Sequence, residues 1–475
     1  MQNKRTKIMT TIGPSSNTPE MIEKLVIAGT NLFRVNSSHS DLSQMRKLTA
    51  SIRRVEKKLG VFVGVLLDLQ GPKIRTGKFK KGFIEIRRGD KLVFTTEEVM
   101  GDKRTVPIQY KRFHHDVKPG HHILLDDGNL SVLVKEVEGK KVTVEVTSGG
   151  TLSNYKGLNL PEGSISGSPF TQKDKQDLLS GLACGIDFVA LSFVKTAKEI
   201  RSLRKMITAE GYSAEIIAKI ERHEAIKNLD SIIKEADGIM VARGDMGVEI
   251  PFERVPLVQN EIVKKTNQAG KPVIVATQML ESMINSHRAT RAEISDIANA
   301  VSYYADALML SAETAVGAYP VKAVEAMTRT ALAVENYQFQ NHKILSWIHE
   351  ADKTSDMTNG VTYAANRLAE SLKARAMITF TISGMTAKEM SKPRPNIPIF
   401  AFTPDLNVAR RMSIIRGVVP FWMKRASDIK KPLKFIFDIL GNKGLIKKGD
   451  HVVLTSGVPM GVSGATNMIR VETVR

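Results

Sequence analysis

Short apolar runs rich in β-branched residues recur along this chain, most end in polar or charged residues, and a helical stretch follows most of them. Glu215-Ile216-Ile217-Ala218-Lys219-Ile220-Glu221 and Gly238-Ile239-Met240-Val241-Ala242-Arg243-Gly244-Asp245 are the clearest pair. A run that is apolar at every position suits a strand buried on both faces, as in a parallel sheet. Charges gathered at its C-terminal end then mark a site of chemistry.

In chain order, strands are expected over residues 7–13, 31–36, 63–68, 187–193, 215–221, 238–245, 272–278 and 307–313. Helices are expected over 21–28, 41–58, 173–183, 197–209, 224–236, 255–269, 291–304 and 321–335. Thr18-Pro19-Glu20 opens the first helix with a capping hydroxyl, a proline in the first turn and an early acid. Eight such units argue for an α/β fold with a closed parallel (β/α)8 TIM barrel. The alternative is an open doubly wound sheet, but no Gly-rich dinucleotide fingerprint follows the first strand.

Two segments fall outside the repeat. After Gly71-Pro72 the period becomes two, with strand-like runs at 83–86, 91–94, 131–134 and 142–146 separated by turns such as Arg88-Gly89-Asp90 and Glu138-Gly139-Lys140. This reads as a small β-barrel lid inserted after the third strand. Past residue 340 come a helix over 361–373, strands at 376–380, 398–402 and 451–454, and a helix near 433–440. The expected division is a barrel of 1–71 and 169–340, a lid of 72–168, and a C-terminal α/β regulatory domain of 341–475.

With 475 residues the chain can bury a large interior, and its 42% hydrophobic and 25% charged content disfavours a disordered class. The formal charge of +20 attracts polyanions, either nucleic acid or phosphorylated metabolites. The lysines come as scattered pairs without a basic tail or interleaved aromatics, so a solvated basic surface is expected rather than specific nucleic-acid binding. The lone Cys184 lies in an apolar setting and reads as a small core residue. No run approaches membrane-spanning length, and the N-terminal apolar stretch is too short for a signal core, which points to the cytoplasm.

The strand ends of such a barrel converge on one face. They bring together Arg34, Asn36, Ser38 and His39; Asp68, Lys73 and Arg75; Lys219 and Glu221; Arg243 and Asp245; Thr277; and Ser311 and Glu313. Glu221 and Asp245 suit a partial shell for Mg²⁺, which takes one or two protein carboxylates and fills its other positions with substrate oxygens and water. The arginines suit phosphate, and a lysine beside the metal can stabilise an enolate oxygen or a phosphoryl group in transfer. A structural salt-bridge network is the bland reading for any one of these residues. For the whole set it is disfavoured, because buried charges are costly unless paired or ligating.

The spellings Ile217-Ala218-Lys219-Ile220-Glu221, Met240-Val241-Ala242-Arg243-Gly244-Asp245, Ala276-Thr277-Gln278-Met279-Leu280-Glu281 and Met309-Leu310-Ser311-Ala312-Glu313-Thr314 resemble the signature segments of the pyruvate kinases. So do Arg34-Val35-Asn36-Ser37-Ser38-His39, Asp68-Leu69-Gln70-Gly71-Pro72-Lys73-Ile74-Arg75 and Thr290-Arg291-Ala292-Glu293. The resemblance implies phosphoryl transfer from phosphoenolpyruvate to ADP, with Mg²⁺ (or Mn²⁺) held by Glu221 and Asp245. It gives Lys219 the phosphoryl group and the enolate. Arg34 and Arg75 take phosphates, with Asn36 and His39 on the nucleotide side. The backbone of Ala242, Arg243 and Gly244 and the Thr277 hydroxyl take the substrate carboxylate. Thr277, Ser311 and Glu313 stand near the protonation step.

The resemblance further implies a lid that closes over the nucleotide, with Asp126-Asp127-Gly128 as its acidic turn, which on the residues alone is a hairpin turn. It also implies a homotetramer and an effector loop at Thr381, Ser383, Gly384 and Thr386, which Thr455 to Gly464 would close over. The effector would be phosphorylated. Members that need K⁺ usually carry Glu where this chain has Lys73 and Thr where it has Leu69. An ammonium at Lys73 supplies the charge of the ion, so activity without K⁺ is expected, although Asn36, Ser38 and Asp68 still resemble the ion's pocket. Two other readings fit the residues: another Mg²⁺-dependent barrel acting on pyruvate enolate, such as an aldolase or lyase, and a non-catalytic nucleic-acid-binding relative.

Overall fold

The computed structural model describes residues 4–37, 42–126, 128–161, 170–341, 356–425, 430–458 and 466–475. Eight parallel strands close into a barrel: β1 (Lys7–Thr11), β2 (Leu32–Asn36), β3 (Gly64–Asp68), β4 (Phe188–Leu191), β5 (Glu215–Ile220), β6 (Gly238–Ala242), β7 (Val273–Ala276) and β8 (Ala307–Leu310). Closure comes from β1 pairing with both β2 and β8.

The uninterrupted apolar runs have a double purpose. Side chains alternate across each strand, so Ile8, Phe33, Val65, Val189, Ile216 and Ile239 face the surrounding helices. Met9, Leu32, Leu66, Phe188, Ile217 and Met240 fill the barrel interior. Helix caps fix where the outer layer starts. Thr18 accepts from Met21 N at 3.2 Å with Pro19 opening the helix Pro19–Ala28, and Gly29 ends it at φ 129°. Thr171 and Thr290 form capping boxes with Asp174 and Glu293.

One expected helix and the ends of two expected strands are corrected. The stretch 224–236 is two helices, His223–Lys227 and Leu229–Glu235, broken where Asn228 leaves helical geometry at φ −98°, ψ 14°. Residues 243–245, read as the end of a strand, instead begin a short helix, Arg243–Glu249, because β6 stops at Ala242. Ala312 and Glu313, read as the end of the strand over 307–313, begin the short helix Ala312–Ala315.

The inserted segment folds as a six-stranded sheet and a two-stranded sheet around one apolar core that includes Phe94, Phe113, Ile123, Val132 and Val144. Its strands at Thr105–Pro107, His122–Leu125, Gly150–Ser153 and Leu158–Asn159 were not expected; they are short and weakly alternating. Asp127 and residues 162–168 of the expected lid lie outside the described residues.

The C-terminal unit is a sheet in the order β11-β10-β9-β12-β13, from β9 (Ala376–Phe380), β10 (Ile399–Thr403), β11 (Val418–Trp422), β12 (His451–Gly457) and β13 (Thr466–Thr473). The unexpected β11 contains Pro420, which a strand accepts at the sheet edge where it lies. This unit caps the N-terminal end of the barrel. Ala365, Met377, Met412 and Ile415 join the same apolar cluster as the barrel interior. Arg394 pairs with Asp306 at 2.7 Å, and Lys388 with Glu215 at 2.8 Å. The opposite end of the barrel is left for the lid and for chemistry.

Candidate active site

Lys219, on β5, carries the centre of the site. Its Nζ lies 2.8 Å from Glu221 Oε1 and 3.3 Å from Asp68 Oδ1, and donates to Ser192 Oγ at 2.7 Å. Burial works against its charge, but Asp68 and Glu221 outweigh that and push the ammonium pKa above its usual value. Asp68 is the mirror case: burial would raise its pKa, while Lys219 and Arg34 hold it below the usual carboxylate range. Arg34 Nε meets Asp68 Oδ2 at 2.7 Å, and its Nη1 donates to Thr11 Oγ1 at 3.1 Å. Asn36 stands beside Asp68 in the β2–β3 register.

Glu221 is almost fully buried, and its Oε2 accepts from Phe193 N at 2.7 Å. Burial, with the neighbouring Asp245 charge, raises its pKa against the pull of Lys219. Asp245 sits in the first turn of the helix Arg243–Glu249 with 28% of its side chain exposed. Its only ionic partner among the described residues is Lys73, 3.7 Å away.

Thr277 and Gln278 follow β7 with φ of 67° and 54°, two successive left-handed residues without a glycine. Arg243 pins that turn. Its Nη2 donates to Thr277 O at 2.6 Å and Gln278 O at 3.3 Å, its Nε to Ala276 O at 3.3 Å, and Asp296 holds its Nη1 at 2.6 Å. The Arg243 side chain is thus spent on the turn, and its charge does not join the site. The Thr277 hydroxyl accepts from Gly244 N at 2.9 Å and donates to Ala276 O at 2.6 Å. Glu313 is similarly structural in its contacts, accepting from Ser311 N at 2.6 Å and Leu280 N at 3.1 Å. Ser311 Oγ is buried and makes no hydrogen bond among the described residues.

Family descriptions match most of the chain: "Pyruvate kinase, barrel domain" over residues 3–324 and "Pyruvate kinase, alpha/beta domain" over residues 359–472. The chain belongs to the pyruvate kinase family. It is 42% identical to a pyruvate kinase of Clostridium acetobutylicum over 99% of both chains. It is 41% identical to pyruvate kinase 2 of Synechocystis sp. over 99% of this chain and 80% of that protein. A crystal structure of a pyruvate kinase from Cryptosporidium parvum superposes with a TM-score of 0.93 at 35% identity, covering 100% of this chain and 97% of that one. The protein is therefore a phosphotransferase, and the family's general role is in glycolysis and uses Mg²⁺.

Other expected pyruvate kinase positions lie further out. Arg75 is in the lid, its Nη1 donating to Tyr155 O at 2.9 Å and its backbone bridging to Gly157. Ser38 and His39 lie outside the described residues. Leu69 is buried in the apolar shell of the barrel. In the C-terminal unit Gly384 is left-handed at φ 87° and donates its N–H to Thr381 Oγ1 at 2.9 Å. Thr386 Oγ1 is 2.7 Å from Thr466 Oγ1, and of the three hydroxyl residues in that loop Ser383 is the exposed one, its Oγ accepting from Met385 N at 3.4 Å. Thr455 to Val458 are described, whereas the expected closing residues 459–464 lie outside the described residues.

Sequence reasoning missed Ser192, Asp296 and Thr11. Ser192 carried a signal, being the first polar residue after the apolar run of β4. Asp296 lies mid-helix, and nothing local connects it to Arg243. Among the described residues no helix is long and apolar enough to cross a membrane.

Proposed function

We propose that this chain transfers the phosphoryl group of phosphoenolpyruvate to ADP, giving pyruvate and ATP, without requiring K⁺. The observation that carries the reading is the Lys219 ammonium, held charged between Asp68, Glu221 and Ser192 at the mouth of the barrel.

Glu221 and Asp245 fit a divalent cation: two carboxylates on neighbouring elements, one buried and one partly open, leave positions for substrate oxygens and water. Bound there, Mg²⁺ or Mn²⁺ supplies charge neutralisation for the phosphoryl oxygens and the enolate. The protein's own groups do the rest. The backbone of Ala242, Arg243 and Gly244 and the Thr277 hydroxyl take the substrate carboxylate, which displaces the hydrogen bonds that Gly244 N–H makes to Thr277 Oγ1 and the Thr277 hydroxyl makes to Ala276 O. Lys219 and Arg34 face the phosphoryl group while its bond to the enol oxygen breaks and a bond to the terminal oxygen of ADP forms. Lys219 then stays beside the enolate oxygen. The methylene carbon takes a proton on the side of Thr277 and Ser311. The Ser311 hydroxyl is the one of the two without a hydrogen bond among the described residues, with Glu313 holding its backbone. The lid, with Arg75, closes over the nucleotide on the side of Asn36 and His39 and keeps water from the phosphoryl group.

Independence of K⁺ is supported by Lys73, whose ammonium faces Asp245 at 3.7 Å, and by Asp68, whose oxygens are taken by Arg34 and Lys219. Leu69 offers an alkyl group in place of a hydroxyl. A phosphorylated effector at the turn of Thr381, Ser383, Gly384 and Thr386, a homotetramer, a cytoplasmic location and the domain limits given above belong to the same reading.

A coupled assay of ADP- and Mg²⁺-dependent pyruvate formation in potassium-free buffer tests it. Full turnover without K⁺ is expected. A loss of about a hundredfold or more, restored by K⁺, overturns the K⁺ reading alone. No pyruvate under either condition overturns the reaction.

A further inference from the structure

Outside the site described above, His223, Glu224 and Glu249 bring one ring nitrogen and two carboxylate oxygens within 4.8 Å of one another. We propose that these three residues form a second metal site, selective for a borderline divalent cation of the Zn²⁺ or Co²⁺ class. It is independent of the reaction assigned above.

The spacing fits such an ion. Ligands 2.0–2.2 Å from a tetrahedral centre stand about 3.3–3.6 Å apart. His223 Nδ1 is 3.3 Å from Glu224 Oε2 and 3.6 Å from Glu249 Oε2. Three protein ligands leave a fourth position for water. An imidazole in the set disfavours Mg²⁺, which prefers oxygen ligands alone.

Two of these three ligand atoms are also short of partners. Glu249 is more than nine-tenths buried, yet among the described residues its Oε2 makes no hydrogen bond, and neither does His223 Nδ1; on Glu224 the unmatched oxygen is Oε1, the one beside the Oε2 that approaches the ring. A buried carboxylate oxygen left in this way is costly. Arg222 compensates only in part. Its Nε meets Glu224 Oε2 at 3.1 Å, but its Nη2 stays 3.9 Å from Glu249 Oε2, beyond hydrogen-bond reach.

The location gives the site a consequence. His223 and Glu224 begin the helix after β5, and Glu249 ends the helix that carries Asp245. Glu249 also bonds Asn159, in the strand Leu158–Asn159 at the foot of the lid. A cation here would tie two catalytic loops to the root of the lid.

The test uses the full chain, stripped of metal by chelation and titrated with Co²⁺ and Zn²⁺ in excess Mg²⁺, which keeps Glu221 and Asp245 filled. One equivalent of Co²⁺ per chain is expected, with visible absorption of a histidine-ligated ion. His223→Gln should weaken it by at least about tenfold, and Glu224→Gln, read if the first variant fails to fold, should do the same. An imidazolium at His223 bridging the two glutamates would give the same spacing with no metal uptake. No stoichiometric binding above Mg²⁺, or equal affinity in the folded variants, overturns the proposal.

Discussion

The two ends of the barrel both bury charge, and they differ in how completely that charge is satisfied. At the N-terminal end Asp306 accepts from Arg394 Nη1 at 2.7 Å and Nη2 at 3.0 Å, from Arg416 N at 3.2 Å and from Val273 N at 3.1 Å. Glu335 accepts from Arg5 N, Thr6 N and Thr6 Oγ1 at 2.6–2.7 Å and pairs with Arg416 at 3.5 Å. At the C-terminal end Asp245 has one ionic partner at 3.7 Å among the described residues, and Ser311 Oγ makes no hydrogen bond. Buried charge is tolerated when its lone pairs and protons are met. At the N-terminal end the carboxylates of Asp306 and Glu335 are met, although Arg394 Nε and Glu215 Oε2 make no hydrogen bond among the described residues, and that end fastens two domains together; the end where Asp245 and Ser311 keep open capacity is left for ligands.

Exchanging the roles is the severest test of this contrast. Lys219→Met removes the ammonium that faces the phosphoryl group and should lower kcat by about a thousandfold in the coupled assay. A loss under about tenfold would mean that the site does not work through Lys219. Arg394→Met should do the reverse. It leaves Asp306 buried and short of its cation, costing about 3–5 kcal/mol of stability in urea unfolding, while the folded fraction keeps its kcat. If Arg394→Met instead costs activity and no stability, the N-terminal end is more than a fastener.

The same contrast governs what could be read in the sequence. The strand ends of the barrel were legible because a parallel strand is marked twice, by an apolar run and by the change to polar residues where it ends. Lys219, Glu221 and Thr277 all stand at that change. The fastening end was not legible. Asp306 pairs with Arg394 and Arg416 across 88 and 110 positions, and no periodicity links residues so far apart. Arg243 shows the limit within the site itself. Its place after β6 put its charge in the site, yet the left-handed turn at Thr277 and Gln278 needs its guanidinium for carbonyl oxygens. The lid strands were half legible, since Leu130–Glu138 and Lys141–Ser148 alternate clearly whereas Leu158–Asn159 is too short to carry a pattern.

The last test separates the two ends by pH. Lys7 opens β1 at the fastening end, its Nζ donating to Val418 O at 2.6 Å. Burial, then repulsion from Lys4, lowers its pKa to about 7. In the unfolded chain a lysine holds its proton to about 10.4. Below pH 7 both states are protonated and Lys7 adds no slope. Between about 7 and 10 the unfolded chain binds the extra proton, so stability rises with pH, by at most about 1.4 kcal/mol per unit for one group. Lys4, lowered to about 8, adds to the rise over a narrower window. At the catalytic end Asp68 is lowered and Lys219 raised, so both keep their charges throughout that window and contribute no slope. Lys7→Met should therefore flatten the stability profile between pH 7 and 10, as read by urea midpoints at each pH. A profile with the same slope in the variant would place the titrating proton elsewhere and remove this distinction between the ends.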